Sequence, residues 1–303
     1  MTTLIFYIVD VFAERKYEGN QLAVFRGGAE LTTEQMQKIA KEMNYSETTF
    51  ILSEEPVNGG YDVRIFTPEK ELPFAGHPTL GTAYVLRREI AGPDSENIVL
   101  NLKAGQIPVT APPQDNPAQP GEPEMLWMQQ NSPEFGTLLE WDLLERLLGL
   151  QPGDADRRFT PQAVSTGVPF VIVPLTSLEA VKRSGIKDKT VYTDLERLAG
   201  TGGVLVFSPE TYDANHQLNA RVFVESLGVP EDPATGSANG CLAGYLVKYR
   251  YFGEQSVETQ VEQGYEIARP SLLYLKAGQM QSNSDIQVQV GGRSILVAKG
   301  EFV

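Results

Sequence analysis

The chain has 303 residues, 41% hydrophobic and 21% charged, an ordinary globular composition with apolar material for one large domain or two ordinary ones. Lys and Arg number 25 against 39 Asp and Glu, giving a formal net charge of −14; so acidic a chain repels phosphate backbones and anionic membrane surfaces, which excludes nucleic acid and membrane as partners. A single Cys and two His exclude an intrachain disulfide, a Cys-rich metal site and a multi-His centre, so no metal is expected.

Leu4 to Val9 is too short to span a bilayer and lacks a basic leader, which places the protein in the cytoplasm. Thr3 to Val11 reads as a buried strand, and Gly19-Asn20 leads into a second, Leu22-Ala23-Val24-Phe25. Thr32 and Gln35 have capping-box spacing, and Met36, Ile39, Ala40 and Met43 follow helical periodicity, which predicts a helix over 33–43. Ser46 to Leu52 and Tyr61 to Phe66 flank Asn58-Gly59-Gly60 as an antiparallel hairpin. A helix then opens at Gly76-His77-Pro78, with His77 at the cap and Arg87 and Arg88 complementing its C-terminal dipole.

The order then recurs. Gly167 to Val173 stands where Gly19-Asn20 stood, followed by a helical piece at Asp194 to Ala199. Val204 to Ser208 and Arg221 to Val224 form a strand pair, and a helix opens at Pro233-Ala234-Thr235-Gly236-Ser237 and runs to about Arg250. Arg64-Ile65-Phe66 lies 157 residues before Arg221-Val222-Phe223, Pro73 lies 157 before Pro230, and Gly76 lies 160 before Gly236. A duplicated strand–helix–hairpin–helix unit accounts for this order, and loose self-alignment of any mixed chain is the competing explanation. Ala111 to Gly121 is a Pro-dense surface loop. Leu138 to Leu150 reads as a helix, and Ile286 to Val290 with Ser294 to Lys299 as a short hairpin about Gly291-Gly292.

The two Gly helix starts, Gly76-His77 and Gly236-Ser237, present backbone N–H groups at the positive ends of helix dipoles. Converging on one cleft, they would bind a carboxylate without an arginine, which suits an acidic protein. For either loop alone, a Gly that merely permits the turn is the simpler explanation. Glu47 leads into the apolar Thr48-Thr49-Phe50-Ile51-Leu52, where desolvation of its charged form favours proton uptake and suits acid–base work; a strand-end Glu reaching solvent is the alternative. Asp232 before Pro233 also fits simple turn chemistry. His216 lies in a polar turn and reads as a surface residue, and Cys241, in a helix of small residues, as packed rather than reactive. Gly200-Thr201-Gly202-Gly203 follows a helix and precedes a strand, the reverse of a dinucleotide loop.

Tyr45-Ser46-Glu47-Thr48-Thr49-Phe50, Leu72-Pro73-Phe74-Ala75-Gly76-His77-Pro78-Thr79 and Glu231-Asp232-Pro233-Ala234-Thr235-Gly236-Ser237-Ala238, with Gly19-Asn20, Gln263-Gly264 and Arg269-Pro270-Ser271, together resemble the phenazine-biosynthesis PhzF-like family over nearly the whole chain. The resemblance implies an α+β, diaminopimelate epimerase-like fold. It would have two pseudo-symmetric halves, each a mostly antiparallel sheet or barrel around a central helix, with the active-site cleft between them. On this reading residues 1–124 form the first half, with the C-terminal segment of about 286–303 as its candidate completion, and 125–285 the second. The implied activity is cofactor-independent isomerisation of trans-2,3-dihydro-3-hydroxyanthranilate or a similar small carboxylate-bearing substrate by a homodimer. Glu47 would shuttle the proton, His77 and Asp232 would assist it, and Gly76, Gly236, Ser237 and Asn20 would bind substrate. The epimerases carry a cysteine in each Gly loop and this chain carries none in either, which argues against a two-thiol racemase. An epimerase of another metabolite and a non-catalytic small-molecule binding protein are the alternatives.

Overall fold

Runs of β-branched and aromatic residues separated by short polar turns become strands almost throughout the computed structural model, which describes residues 4–112, 122–201, 203–225, 229–280 and 285–303. The result is a mixed α+β, strand-rich protein whose chain divides into two compact units, Met1–Gln129 with Gly291–Val303, and Gln130–Val290.

In the first unit β1 (Leu4–Val11) pairs antiparallel with β2 (Asn20–Arg26). After α1 (Thr33–Met43), β3 (Glu47–Ile51) joins β2 in parallel, with Leu22 opposite Glu47. β4 (Tyr61–Phe66) pairs antiparallel with β3 and with the short β5 (Glu71–Leu72). Beyond α2 (Gly76–Leu86), β6 (Asn97–Leu102) runs parallel to β4, and β7 (Gly105–Thr110) and β8 (Glu124–Gln130) follow in antiparallel succession. Thr32 and Gln35 form the expected capping box, and α1 packs Met36 and Ala40 against Ala23, Phe25, Phe50 and Phe66. Every residue of α2 is buried, and the helix touches β1, β2, β3, β6 and β7. A helix apolar on all sides has no solvated face, so its sheet curls around it.

Two details of this helix differ from expectation. Its cap is Ala75 rather than His77, which lies within the first turn. Arg87 does not serve the dipole; it is buried, ion-paired with Glu124, and donates from Nε to the Ser95 carbonyl at 2.8 Å.

The second unit begins with β9 (Glu134–Leu138) and α3 (Trp141–Leu148), so the helix expected from Leu138 starts later because Leu138 pairs with Gln162 in a ladder. β10 (Gln162–Ser165) and β11 (Pro169–Pro174) are antiparallel, followed by α4 (Leu178–Arg183) and α5 (Lys189–Ala199). α5 begins five residues before the expected Asp194 because the Asp188 carboxylate caps it, accepting from Thr190 and Val191 N–H at 3.0 and 3.1 Å. β12 (Val204–Ser208) lies parallel to β11, and β13 (Leu218–Val224) antiparallel to both β12 and β14 (Val229–Asp232). After α6 (Gly236–Lys248), β15 (Ser256–Gln263) runs parallel to β13, and β16 (Ser271–Gln279) pairs with β15. α6 is buried except at Ser237 and Lys248 and touches β10, β11, β15 and β16, while α3, α4 and α5 share an apolar layer with Val171, Val173, Val204 and Val206. Most of the Pro-dense stretch 111–121 lies outside the described residues.

The hairpin expected about Gly291-Gly292 is instead one continuous strand, β17 (Ile286–Phe302), whose later residues pair with β1. The glycines are needed for space: a Cβ at Gly291 would lie 2.6 Å from the Trp127 ring, and one at Gly292 2.1 Å from that of Phe12.

The two units repeat one pairing order, parallel, antiparallel, antiparallel and parallel, from β2–β3 to β4–β6 and from β11–β12 to β13–β15. They also repeat one brace. Arg64 lies over the Phe66 ring and grips Glu71 through Nε and Nη2 at 2.8 and 2.7 Å; Arg221 lies over Phe223 and grips Glu231 at 2.8 and 2.6 Å. The three-residue insertion therefore falls between Phe223 and Glu231, and the counterpart of Pro73 is Pro233 rather than Pro230.

Gly292→Ala should destabilise the protein by about 1–3 kcal/mol through overpacking against the Phe12 ring. Adding Phe12→Leu should recover part of that loss in a double-mutant cycle read by denaturant unfolding; additive effects would contradict the packing.

Candidate active site

Glu47 opens β3, and the strand's next residues, Thr48 and Thr49, are fully buried. Its side chain is 17% exposed, with Oε2 3.6 Å from Nε2 of His77, itself 5% exposed. His77 is the second residue of α2, so the burial of that helix fixes where the ring stands. The Gln21 backbone hydrogen-bonds the ring, and Nε2 has no hydrogen-bond partner among the described residues. Gln21 adjoins the buried Asn20, which the left-handed Gly19 (φ 69) delivers to β2; a Cβ at Gly19 would lie 2.3 Å from the Val11 carbonyl oxygen. The first unit thus brings Glu47, His77 and the Gly19–Gln21 corner together.

Burial drives the His77 imidazole down from 6.5 to about 3, against a smaller opposing pull from the Gln21 backbone bond. The ring is neutral at physiological pH. With its Nδ1 proton assigned to the Gln21 carbonyl, Nε2 is an acceptor facing the Glu47 carboxyl group. A separation of 3.6 Å exceeds that of an N–H···O hydrogen bond, so the two groups are not closed onto each other.

In the second unit Asp232 ends β14 and accepts a 2.5 Å hydrogen bond on Oδ2 from the Thr235 hydroxyl. Gly236 and Ser237 are the first and second residues of α6, as Gly76 and His77 are of α2. Neither helix has a side-chain N-cap hydrogen bond, because Ala75 has no acceptor and Thr235 turns its hydroxyl to Asp232.

The sequence reading missed the groups that hold this loop. Gln263 donates to the Asp232 carbonyl and accepts from the Thr235 N–H, and Asn239 of α6 donates to the Thr235 carbonyl. The visible signal was Gln263-Gly264: Gly264 is left-handed (φ 80), and a Cβ there would lie 2.5 Å from the Pro233 carbonyl oxygen. His216 was also misread. It hydrogen-bonds through Nδ1 at 2.8 Å to Glu262, a fully buried carboxylate that recruits the Tyr212 and Asp213 N–H groups as well. Cys241 is packed as expected, and burial pushes its thiol up to about 12.

Aligned on the Arg-x-Phe braces, the registers put Phe50 opposite Arg64 and Val206 opposite Arg221, so Gly203 stands in the second unit where Glu47 stands in the first. The site's carboxylate on that strand occurs once.

A family model described as phenazine biosynthesis-like protein matches residues 9–300. The chain belongs to this PhzC-PhzF family. A trans-2,3-dihydro-3-hydroxyanthranilate isomerase of Pseudomonas fluorescens is 34% identical over 98% of this chain and 99% of its own, and its Pseudomonas aeruginosa namesake is 35% identical over 97% and 98%. An uncharacterized isomerase of Clostridium acetobutylicum is 28% identical over 98% and 97%. Among solved structures, a PhzF-family phenazine biosynthesis protein of Bacillus anthracis aligns over the whole of both chains with TM-score 0.87 and 27% identity. A hydroxyproline epimerase of Agrobacterium vitis shares the fold alone, with TM-score 0.62 and 10% identity over 99% and 92%. Among the described residues no helix is long and apolar enough to cross a membrane.

The folded His77 pKa is depressed below its unfolded value. Between 6.5 and about 3 the unfolded state therefore binds a proton that the native state refuses, and stability falls as pH drops through this window. His77→Asn removes the titrating group. The stability difference between wild type and His77→Asn, read by urea unfolding, should shrink from pH 7 to pH 4; a constant difference would contradict a buried neutral ring.

Proposed function

We propose that the protein is a cofactor-independent isomerase that moves one proton on a small carboxylate-bearing substrate, with trans-2,3-dihydro-3-hydroxyanthranilate as the first candidate. The reading carries the two-half, diaminopimelate epimerase-like architecture with it, both Gly loops serving one substrate. The observation that supports it best is a carboxylate at the edge of a buried sheet, 3.6 Å from an imidazole nitrogen that burial keeps neutral, with a glycine at the matching place in the second unit. The relatives named as isomerases of that substrate support the candidate.

In this mechanism the Glu47 carboxylate takes a proton from one substrate carbon and, as the acid, returns it to another on the same face. Neutral His77 accepts a hydrogen bond through Nε2 and orients the reacting group without competing for the proton. Asp232 accepts a hydrogen bond from a substrate N–H or O–H donor. The uncapped first turns of α2 and α6, at Gly76 and at Gly236 and Ser237, take up the substrate carboxylate by N–H donation and helix dipole. A two-thiol epimerase would need a cysteine in each Gly loop, and neither 74–77 nor 233–236 holds one. Deuterium uptake at a substrate carbon distinguishes catalysis from a binding protein without turnover.

Proton NMR in D₂O with trans-2,3-dihydro-3-hydroxyanthranilate should show rearrangement by wild type, with a loss of about 10² or more in Glu47→Gln, which keeps the shape and removes the base. Full turnover by Glu47→Gln would overturn the mechanism. Size-exclusion chromatography with light scattering checks the homodimer that belongs to the same reading: elution as a monomer would remove it.

A further inference from the structure

We propose that Gln263 is a positioning residue of this site. Acting through Thr235, it fixes the direction of a hydrogen-bond chain that holds Asp232 as a charged acceptor. The inference rests on the assignment of Asp232 to the substrate site.

Gln263 is completely buried at the end of β15, outside the set of residues assigned to chemistry or binding. Its amide makes four hydrogen bonds. Nε2 donates to the Asp232 carbonyl at 2.8 Å and to Thr235 Oγ1 at 3.1 Å; Oε1 accepts from the Thr235 N–H at 3.3 Å and from Asn239 Nδ2 at 2.9 Å. Two of these partners are backbone groups, and a backbone carbonyl only accepts while a backbone N–H only donates. The amide therefore has one permitted orientation, and exchanging its oxygen and nitrogen would oppose both backbone bonds.

The rest of the chain follows from that orientation. Because Gln263 donates to Thr235 Oγ1, the hydroxyl spends a lone pair there and directs its single proton elsewhere. Asp232 Oδ2 lies 2.5 Å away, the length of an O–H···O⁻ bond to a charged acceptor. Donation by Thr235 stabilises ionised Asp232, whereas a protonated Asp232 would compete with Thr235 for the donor role. Without Gln263 the hydroxyl is at liberty to turn round and accept, and the bias toward the carboxylate is lost. Of the charged groups of the neighbouring elements, Arg221 pairs with Glu231 and Glu266 and His216 with Glu262, while Arg269 lies at the corner where its own carbonyl and that of Pro233 close on Gly264. Residues that leave these pairs untouched can therefore be varied to test the chain.

Two readouts on wild type, Gln263→Leu, Thr235→Val and Thr235→Ser test this. The first is ¹³C NMR titration of the Asp232 carboxyl in ligand-free protein. Its midpoint should rise by about one pH unit, a tenfold gain in proton affinity, in Gln263→Leu and Thr235→Val, and Thr235→Ser should restore it. The second is the pH profile with trans-2,3-dihydro-3-hydroxyanthranilate. Here kcat should fall by about tenfold or more in the first two variants, its acid limb moving up with the Asp232 midpoint and KM changing less. If Gln263→Leu does not fold, Gln263→Met, which keeps the side-chain length and removes the donor, takes its place, and the Thr235 pair tests the second link of the chain. An unchanged midpoint in a folded Gln263 variant or in folded Thr235→Val, or a failure of Ser to restore it, overturns the proposal. A wild type that does not turn the substrate over counts against the isomerase reading, while the titration, which needs no substrate, still decides the role of Gln263.

Discussion

Two helices without a polar face lie buried inside this protein. All of α2 and nearly all of α6 are hidden from solvent, each lying against four or more strands of its own unit. Such a helix is stable only when enclosed, so each sheet must curl around it. The same burial fixes the helix N-terminus, and with it the residues of the first turn. His77 is neutral because of where α2 has to lie, and its ring faces Glu47 because β3 is one of the strands α2 packs on.

The two units share one order of strand pairing and differ at a few positions around it. The Arg–Glu brace beside a Phe recurs almost unchanged ahead of each Gly helix start. Around it the residues differ. Glu47 corresponds to Gly203, Leu72 to Asp232, Ala75 to Thr235, and His77 to Ser237. The first unit carries a carboxylate beside a buried imidazole; the second carries a carboxylate that accepts from Thr235, with an internal glutamine behind it. Two units of like pairing order thus differ at the Glu47 position, and the proposed single-base mechanism rests on that difference.

Much of this was legible in the sequence where the determinants are local. The Thr32–Gln35 capping box and the periodicity of Met36 and Ala40 gave α1 its observed limits, and the spacing of Arg64-Ile65-Phe66 from Arg221-Val222-Phe223 marked a real structural repeat. What escaped depends on contacts distant in sequence. Gly291-Gly292 looks like a turn, but the pair is small to make room for Trp127 and Phe12. His216 looks solvated until Glu262, 46 residues on, is placed beside it. Gln263-Gly264 stands out in the sequence, but its link to Asp232 and Thr235 appears only when β15 returns to the Asp232 loop.

In the proposed reaction one carboxyl group carries one proton between two substrate carbons. Its most direct test is a label-transfer measurement in H₂O, with trans-2,3-dihydro-3-hydroxyanthranilate deuterated at the carbon that loses its proton and the product read by NMR and mass spectrometry. Part of the deuterium should reappear at the receiving carbon, because Glu47 is mostly shielded from solvent and would hold the label between the two half-reactions. Product entirely free of deuterium from wild-type turnover would contradict it.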